Sequence, residues 1–202
     1  MPPRIVSIVE GQGDTEALPV MIRRILLEQD PPVYADVPRP RRVPRGSLIK
    51  PGELERYVET ASSQLASHGA MLVVIDSDGG HPCVLGPQLL ARAKLARSDV
   101  PIGIVLAHCE WENRYLAAAE SLAGCRGLRL DIASPEDPES IRGAKEWLTR
   151  QMHFGRAYSP TADQAALAAS LDLQSARRAP SFDKFYREVL RLFRDASASE
   201  HS

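Results

Sequence analysis

The chain has 202 residues, 44% hydrophobic and 25% charged, with a formal net charge of −1. That length suits one domain, or one domain with an appendage, and the composition is that of a globular protein rather than a disordered or fibrous one. No apolar run approaches the roughly 18 residues needed to cross a bilayer, and three cysteines at irregular spacing match neither a zinc site nor a disulfide framework, so the expectation is a cytoplasmic protein with reduced thiols.

The first element is a β-branched run, Arg4–Val9, which reads as a strand and stops at Glu10-Gly11-Gln12-Gly13-Asp14. Apolar residues then recur at helical spacing over residues 15–28, with Asp14 or Thr15 as cap and Pro19 tolerated in the first turn. The glycines of the turn could cradle a phosphate, but the pattern is too short for a dinucleotide fingerprint and lacks the Gly-Lys-Ser/Thr of a P-loop. Glu10 is more informative. It follows a buried strand at its carboxyl end, where open α/β sheets put their ligands.

Residues 31–37 are expected to form a second strand leading into an extended loop that carries Arg39, Arg41, Arg42 and Arg45 among three prolines. Such a loop is either a solvated surface segment or a phosphate grip, since a guanidinium offers two parallel donors to phosphate oxygens. A helix is expected over residues 52–68. The stretch Met71-Leu-Val-Val-Ile-Asp76-Ser77-Asp78 follows, a buried strand ending in two carboxylates one residue apart. Residues i and i+2 of a strand share a side, and a pair of hard oxygen donors held that way suits Mg²⁺ or Mn²⁺. The alternative is that Asp78-Gly79-Gly80 is a plain turn.

Residues 79–86 read as a loop containing His81 and Cys83, residues 88–97 as a helix, and residues 101–106 as a fourth strand. His108-Cys109-Glu110-Trp111-Glu112 then runs into an alanine-rich helix fading near Gly124. Glu110 and Glu112 are either further site acids or first-turn acids complementing a helix dipole. Beyond residue 124 the pattern becomes helical: residues 141–152 with Lys145, an irregular stretch over 155–163, and helices over 165–171 and 181–194, with residues 197–202 disordered. The expected organisation is an α/β domain over residues 1–123, a helical extension over 124–196 packed on it, and a tail. The alternation of strand and helix predicts a mostly parallel sheet of about four strands with helices on both faces.

Glu10, Asp76, Asp78 and the Glu110/Glu112 pair all follow strands, so a parallel sheet gathers them along one edge. This assembly resembles the Toprim domain of topoisomerases, primases and overcoming-lysogenization-defect nucleases, through Glu10-Gly11 after the first strand and Asp76-Ser77-Asp78 after the third. Over nearly the whole chain it resembles the Toprim-like bacterial family 4276 among domains of unknown function. That likeness rests on residues 9–20 (Val-Glu-Gly-Gln-Gly-Asp-Thr-Glu-Ala-Leu-Pro-Val), Asp76-Ser77-Asp78-Gly79, Glu110-Trp111-Glu112 with Leu116-Ala117, and Tyr158-Ser159-Pro160-Thr161-Ala162-Asp163. Glu112-Asn113-Arg114 departs from the Glu-Ala-Trp expected there.

The resemblance implies a metal-dependent phosphodiester hydrolysis on nucleic acid, with DNA the first substrate, and an AAA- or ABC-type ATPase partner in an antiphage or mobile-element setting. Asp76 and Asp78 would hold Mg²⁺ or Mn²⁺, with Glu10 a ligand or a general acid or base. Asp14, Glu16 and Glu112 would complete the shell or bind a second ion, and Lys145 would neutralise phosphate charge along with Arg41 and Arg42. Two other classes stay open: a catalytically silent module that docks an ATPase or a second copy of the chain, and phosphoryl or nucleotidyl transfer on a small molecule with Asp76 as nucleophile.

Overall fold

Ile5, Val6, Ile8 and Val9 are all buried, so the first strand, β1 (Arg4–Val9), is covered on both faces and can only be an inner strand. The computed structural model describes residues 2–65, 69–77 and 80–198. In chain order the elements are β1, α1 (Asp14–Leu27), β2 (Arg41–Arg42), α2 (Arg45–Leu48), α3 (Glu53–Ser62), β3 (Gly69–Asp76), α4 (Pro82–Ala96), β4 (Ile102–Ala107), α5 (Asn113–Ala117), α6 (Ala144–Arg150), α7 (Pro160–Ser170), α8 (Leu173–Ala176) and α9 (Pro180–Ala198), with short 3₁₀ turns between α5 and α6. The four strands form one parallel sheet in the order β2-β1-β3-β4, with Ile5 opposite Ala70, Val9 opposite Val74 and Asp76 opposite Ala107. The α/β class and parallel sheet expected from the alternating pattern are therefore present.

Strands β1, β3 and β4 each divide their side chains between two cores. Val6, Ile8, Met71, Val73, Ile104 and Leu106 meet α3 and α4 on one face. Ile5, Val9, Leu72, Val74 and Val105 meet α1, α7 and α9 on the other. Helix α9 owes its place to Phe182, Phe185, Val189, Leu192 and Ala196, spaced alternately by three and four residues, which makes one apolar stripe. Phe185 meets the edge of Trp111 at 5.1 Å between ring centroids. Each such buried side chain contributes roughly 1.5–3 kcal/mol relative to exposure. Gly103 admits α9 closely, because a Cβ there would lie 2.5 Å from Glu188 Oε1. The same core cluster holds Ile5 and Ala196, so the last helix belongs to the interior of the sheet face it covers.

Several local expectations are corrected. Residues 31–37 form no strand; only an isolated bridge joins Asp36 to Arg4, and the edge strand is the two-residue β2 within the arginine loop. Val33 and Val37 turn their side chains into the α1 core instead of pairing with a neighbour, which is the packing that a β-branched run alone does not reveal. Helix α4 begins at Pro82, six residues earlier than expected, because proline is well suited to a helix's first turn. The irregular stretch before residue 163 is in part the start of α7, again opened by a proline, Pro160. The helix expected over 52–68 spans Glu53–Ser62, and residues 66–68 lie outside the described residues. After β4 the helix lasts only five residues.

Candidate active site at the carboxyl edge of the sheet

Glu10 follows β1 and Asp76 ends β3, and the parallel register brings them together: Glu10 Oε2 accepts a hydrogen bond from the Asp76 backbone N–H at 3.3 Å. Asp14, the first residue of α1, turns back over the β1–α1 connection and accepts from Gly11 N–H at 3.1 Å. That fold-back requires glycine at position 11, where a Cβ would sit 2.4 Å from Asp14 Oδ2. Glu16 does not join them. Two residues apart on a helix point to different sides, so with Asp14 inward Glu16 is turned out, where it pairs with Arg39 at 2.8 Å. Asp78 lies outside the described residues.

The end of β4 supplies the other wall. Cys109 takes a left-handed backbone conformation (φ 61°) and donates its N–H to Ser77 Oγ at 3.3 Å, tying this end to that of β3. Glu110 and Glu112 then part company. Glu110 Oε1 accepts from Ala144 N–H at 2.9 Å and so caps α6 from outside, a case of the dipole-complementing role expected of these acids, though on a different helix. Glu112 is only 2% exposed and makes no such cap; its Oε1 accepts from Gln164 Nε2 at 3.0 Å and its Oε2 lies 3.6 Å from Lys145 Nζ. Lys145, on the first turn of α6, also stands 3.5 Å from Glu110. Its side chain thus bridges the two acids.

Asn113 and Arg114, where the chain departs from the Glu-Ala-Trp pattern, are structural supports. Asn113 donates to the carbonyls of Pro138 and Ile141 at 2.6 and 3.0 Å, pinning the loop that leads to α6. Arg114 is buried between the rings of Trp111 and Tyr115, 4.2 Å from each centroid, and donates to Tyr115 Oη at 2.9 Å. Stacking on two ring faces gives this desolvated guanidinium favourable electrostatic partners.

These walls enclose a cleft of about 390 Å³ lined by Glu10, Asp14, Asp76, Glu112, Lys145 and Gln164, with Arg42 at its rim. A larger groove of about 650 Å³ runs beside α9 but brings no such acids together. Burial first, then the neighbouring charges of Glu112, Asp14 and Glu10, push the Asp76 carboxyl up to about 8, against the opposing effect of Lys145. Glu112 is also raised, chiefly by burial, with Lys145 and Arg114 acting the other way. For Lys145 burial favours the neutral amine, yet Glu112, Glu110 and Asp76 together hold its pKa above the ordinary value.

The arginine loop divides by residue. Arg42 donates to the Glu10 carbonyl at 3.2 Å and reaches the cleft. Arg45 donates to the carbonyls of Asp76 and Ser77 at 2.9 and 3.1 Å and braces the end of β3. Arg41 stacks over Tyr57 at 5.3 Å, and Arg39 is taken by Glu16. The four therefore make different contacts. Residue-type patterns in the loop cannot distinguish them, because only the fold sets which guanidinium meets a backbone carbonyl.

Among the described residues no group of three or more His, Cys, Asp or Glu side chains is arranged to hold a metal ion. The donor chemistry nevertheless fits a hard divalent cation: four carboxylates share the cleft, Asp76 is strongly raised, and Asp14 Oδ1 is buried with no hydrogen-bond partner. Excess negative charge of this kind is what a bound cation relieves.

Gln164 was not foreseen. It lies one residue past the Tyr158–Asp163 motif, whose structure explains its placement: Asp163 is fully buried, accepts from Ser159 N–H at 2.9 Å, and binds Arg156 and Arg126, fixing the start of α7. Gly13 lets that start approach the β1–α1 turn, since a Cβ there would lie 2.6 Å from the Pro160 carbonyl oxygen and 2.3 Å from Gln164 Oε1. The second glycine of the turn was the available signal; what it meets is 147 residues away in sequence (160 − 13).

No curated protein and no solved structure matches the chain. The model of a family described as Domain of unknown function (DUF4276) matches residues 9–190. That match runs from the end of β1 well into α9 and takes in both walls of the cleft, and the chain belongs to this family.

Proposed function

We propose that the cleft performs divalent-metal-dependent phosphodiester hydrolysis on nucleic acid, DNA first, in the manner of a Toprim-type nuclease. The observation that carries this reading is the gathering of Glu10, Asp14, Asp76 and Glu112 at the carboxyl edge of a parallel sheet with a lysine among them. Asp76 and, from its place in the sequence, Asp78 would hold Mg²⁺ or Mn²⁺, with Glu10 a further ligand or the group that moves a proton. A bound ion would polarise the phosphate and lower the pKa of the attacking water. Lys145 stands where it can meet negative charge developing on phosphate oxygens, and Arg42 at the rim can hold the neighbouring phosphate. Arg41 is left exposed enough to serve farther along a strand.

The test is cleavage of labelled single- and double-stranded DNA and RNA with Mg²⁺ or Mn²⁺, by the wild type and Asp76→Asn, alone and with the product of any adjacent ATPase gene. Cleavage that drops by about 100-fold or more in Asp76→Asn is the expected result. Equal cleavage by both proteins overturns the reading.

One observation favours a second reading, a module that binds without turnover: Lys145 already supplies a cation to Glu110 and Glu112. In that case metal or polyanion binds and no substrate is cut. The ATPase, or a second copy of the chain, would then appear as a gain of mass in light scattering without any gain of cleavage.

A further inference from the structure

Two buried oxygen acceptors in the cleft meet no donor, Asp14 Oδ1 and Gln164 Oε1. The orientation of the Gln164 amide follows from its neighbour. The NH₂ group faces Glu112, to which it donates at 3.0 Å, and the carbonyl oxygen faces the other way. There it lies over Gly13, at the turn from which Asp14 projects. Gln164 is 3% exposed and Asp14 7%, so neither oxygen has ready recourse to bulk solvent.

Lys145 approaches Glu112 through Oε2, whereas Gln164 holds Oε1. The lysine therefore satisfies one side of Glu112 and leaves the Asp14 and Gln164 oxygens as they are. The two oxygens without a donor, Asp14 Oδ1 and Gln164 Oε1, are both acceptors and suit a hard cation with oxygen ligands.

We propose that Gln164 is a cation-binding residue. Its carbonyl oxygen joins Asp14 to seat a divalent ion, while its amide N–H fixes the neighbouring Glu112 carboxylate. This deepens the metal-dependent reading above and rests on it for the identity of the ion, but the seat draws on a residue of α7 that neither the strand-end acids nor the arginine loop requires. A buried amide used in this way couples the second half of the chain to the chemistry at the first strand.

The test is Mn²⁺ binding alone, read from the electron paramagnetic resonance signal of the free ion, on wild type, Gln164→Leu, Gln164→Glu and Asp76→Asn, each checked for a cooperative melt. Gln164→Leu, which keeps the bulk and loses both polar atoms, is expected to weaken binding about 10-fold or more. Gln164→Glu keeps the oxygen and loses the N–H, and is expected to bind Mn²⁺ near the wild-type affinity. Should Gln164→Leu fail to fold, Gln164→Glu decides: near wild-type affinity upholds the assignment, and a 10-fold loss overturns it. Unchanged affinity in a folded Gln164→Leu also overturns it, reducing Gln164 to a packing role, and if Asp76→Asn still weakens Mn²⁺ the nuclease reading survives alone. Loss in Gln164→Leu with no effect of Asp76→Asn keeps this seat and removes the Asp76-centred reading. A wild type that binds no Mn²⁺ removes both.

Discussion

Charged groups gather at two places, beside α9 and in the cleft, and they are handled in opposite ways. Under α9, Arg191 donates to both carboxylate oxygens of Glu188, to Asp195 at 2.6 Å and to the Ile102 carbonyl at 2.9 Å, so two acids and one base close on each other over Gly103. In the cleft four carboxylates face one lysine, and of the six buried side-chain polar atoms without a partner among the described residues, Asp14 Oδ1 and Gln164 Oε1 line it while Trp111 Nε1, Arg114 Nε and Tyr158 Oη belong to residues supporting its walls. The sixth, Ser7 Oγ, lies within β1. A fold that can pair its charges at one place and leaves them unbalanced at another is storing electrostatic strain where a ligand can use it.

The largest expected effect is on the balanced side. Phe185→Ala removes a fully buried ring from the Trp111 edge contact and should cost about 3–5 kcal/mol in urea denaturation. A loss below about 1 kcal/mol would show that α9 is not part of the cooperative core, and the two regions could then be separate units.

Next comes the pH dependence of the cleft in metal-free protein. With the folded Asp76 pKa near 8 and an unfolded value near 3.8, the folded state holds the proton more tightly, so stability is highest below pH 4 in this contribution and falls as pH rises toward 8. The fall is on the order of a few kcal/mol, by about 1.4 kcal/mol for each unit of pKa difference. Asp76→Asn should abolish it, and chemical melts between pH 5 and 8.5 measure it. A wild type and variant with parallel profiles would mean that the acids in the cleft are as well compensated as Glu188.

Gly13→Ala sharpens the contrast sterically, since the new methyl meets the Pro160 backbone and Gln164 rather than any flexible surface group. It should destabilise by about 1–3 kcal/mol and weaken Mn²⁺ binding together, because α7 must move away from the turn. Normal stability with normal binding would show that α7 has room to give.

The smallest effect separates the arginines. On duplex DNA, Arg42→Ala should lower the slope of log affinity against log salt by about 0.9, the amount for one lost phosphate contact, while Arg39→Ala should leave it unchanged because Glu16 already holds that guanidinium. Fluorescence anisotropy at several salt concentrations reads both.

The regular parts of this molecule were legible because they obey local rules. Buried β-branched runs marked β1, β3 and β4, and an acid after each pointed to the sheet's carboxyl edge as the candidate site. Lys145 was marked as a cation of that site from a helix beyond residue 124, and it does lie against Glu112. The failures share one cause. Val33 and Val37 look like strand residues but pack as core, Glu16 and Arg39 look like site residues but satisfy each other, and Gln164 looks like one more polar helix residue but is buried against Glu112. In each case the partner lies elsewhere in the chain, and local pattern carries no information about it. The two-residue spacing of Asp14 and Glu16 was the exception, since helix geometry alone says that only one of them can face the cleft.

The seating of α7 on the β1–α1 turn has a temporal consequence. Gln164 is made 154 residues after Glu10 (164 − 10), which at about 5–20 residues per second is a delay of roughly 8 to 30 s on the ribosome. Through that interval the acidic turn exists without the helix that completes it, so a nascent chain cannot assemble the whole constellation before most of its length has been made.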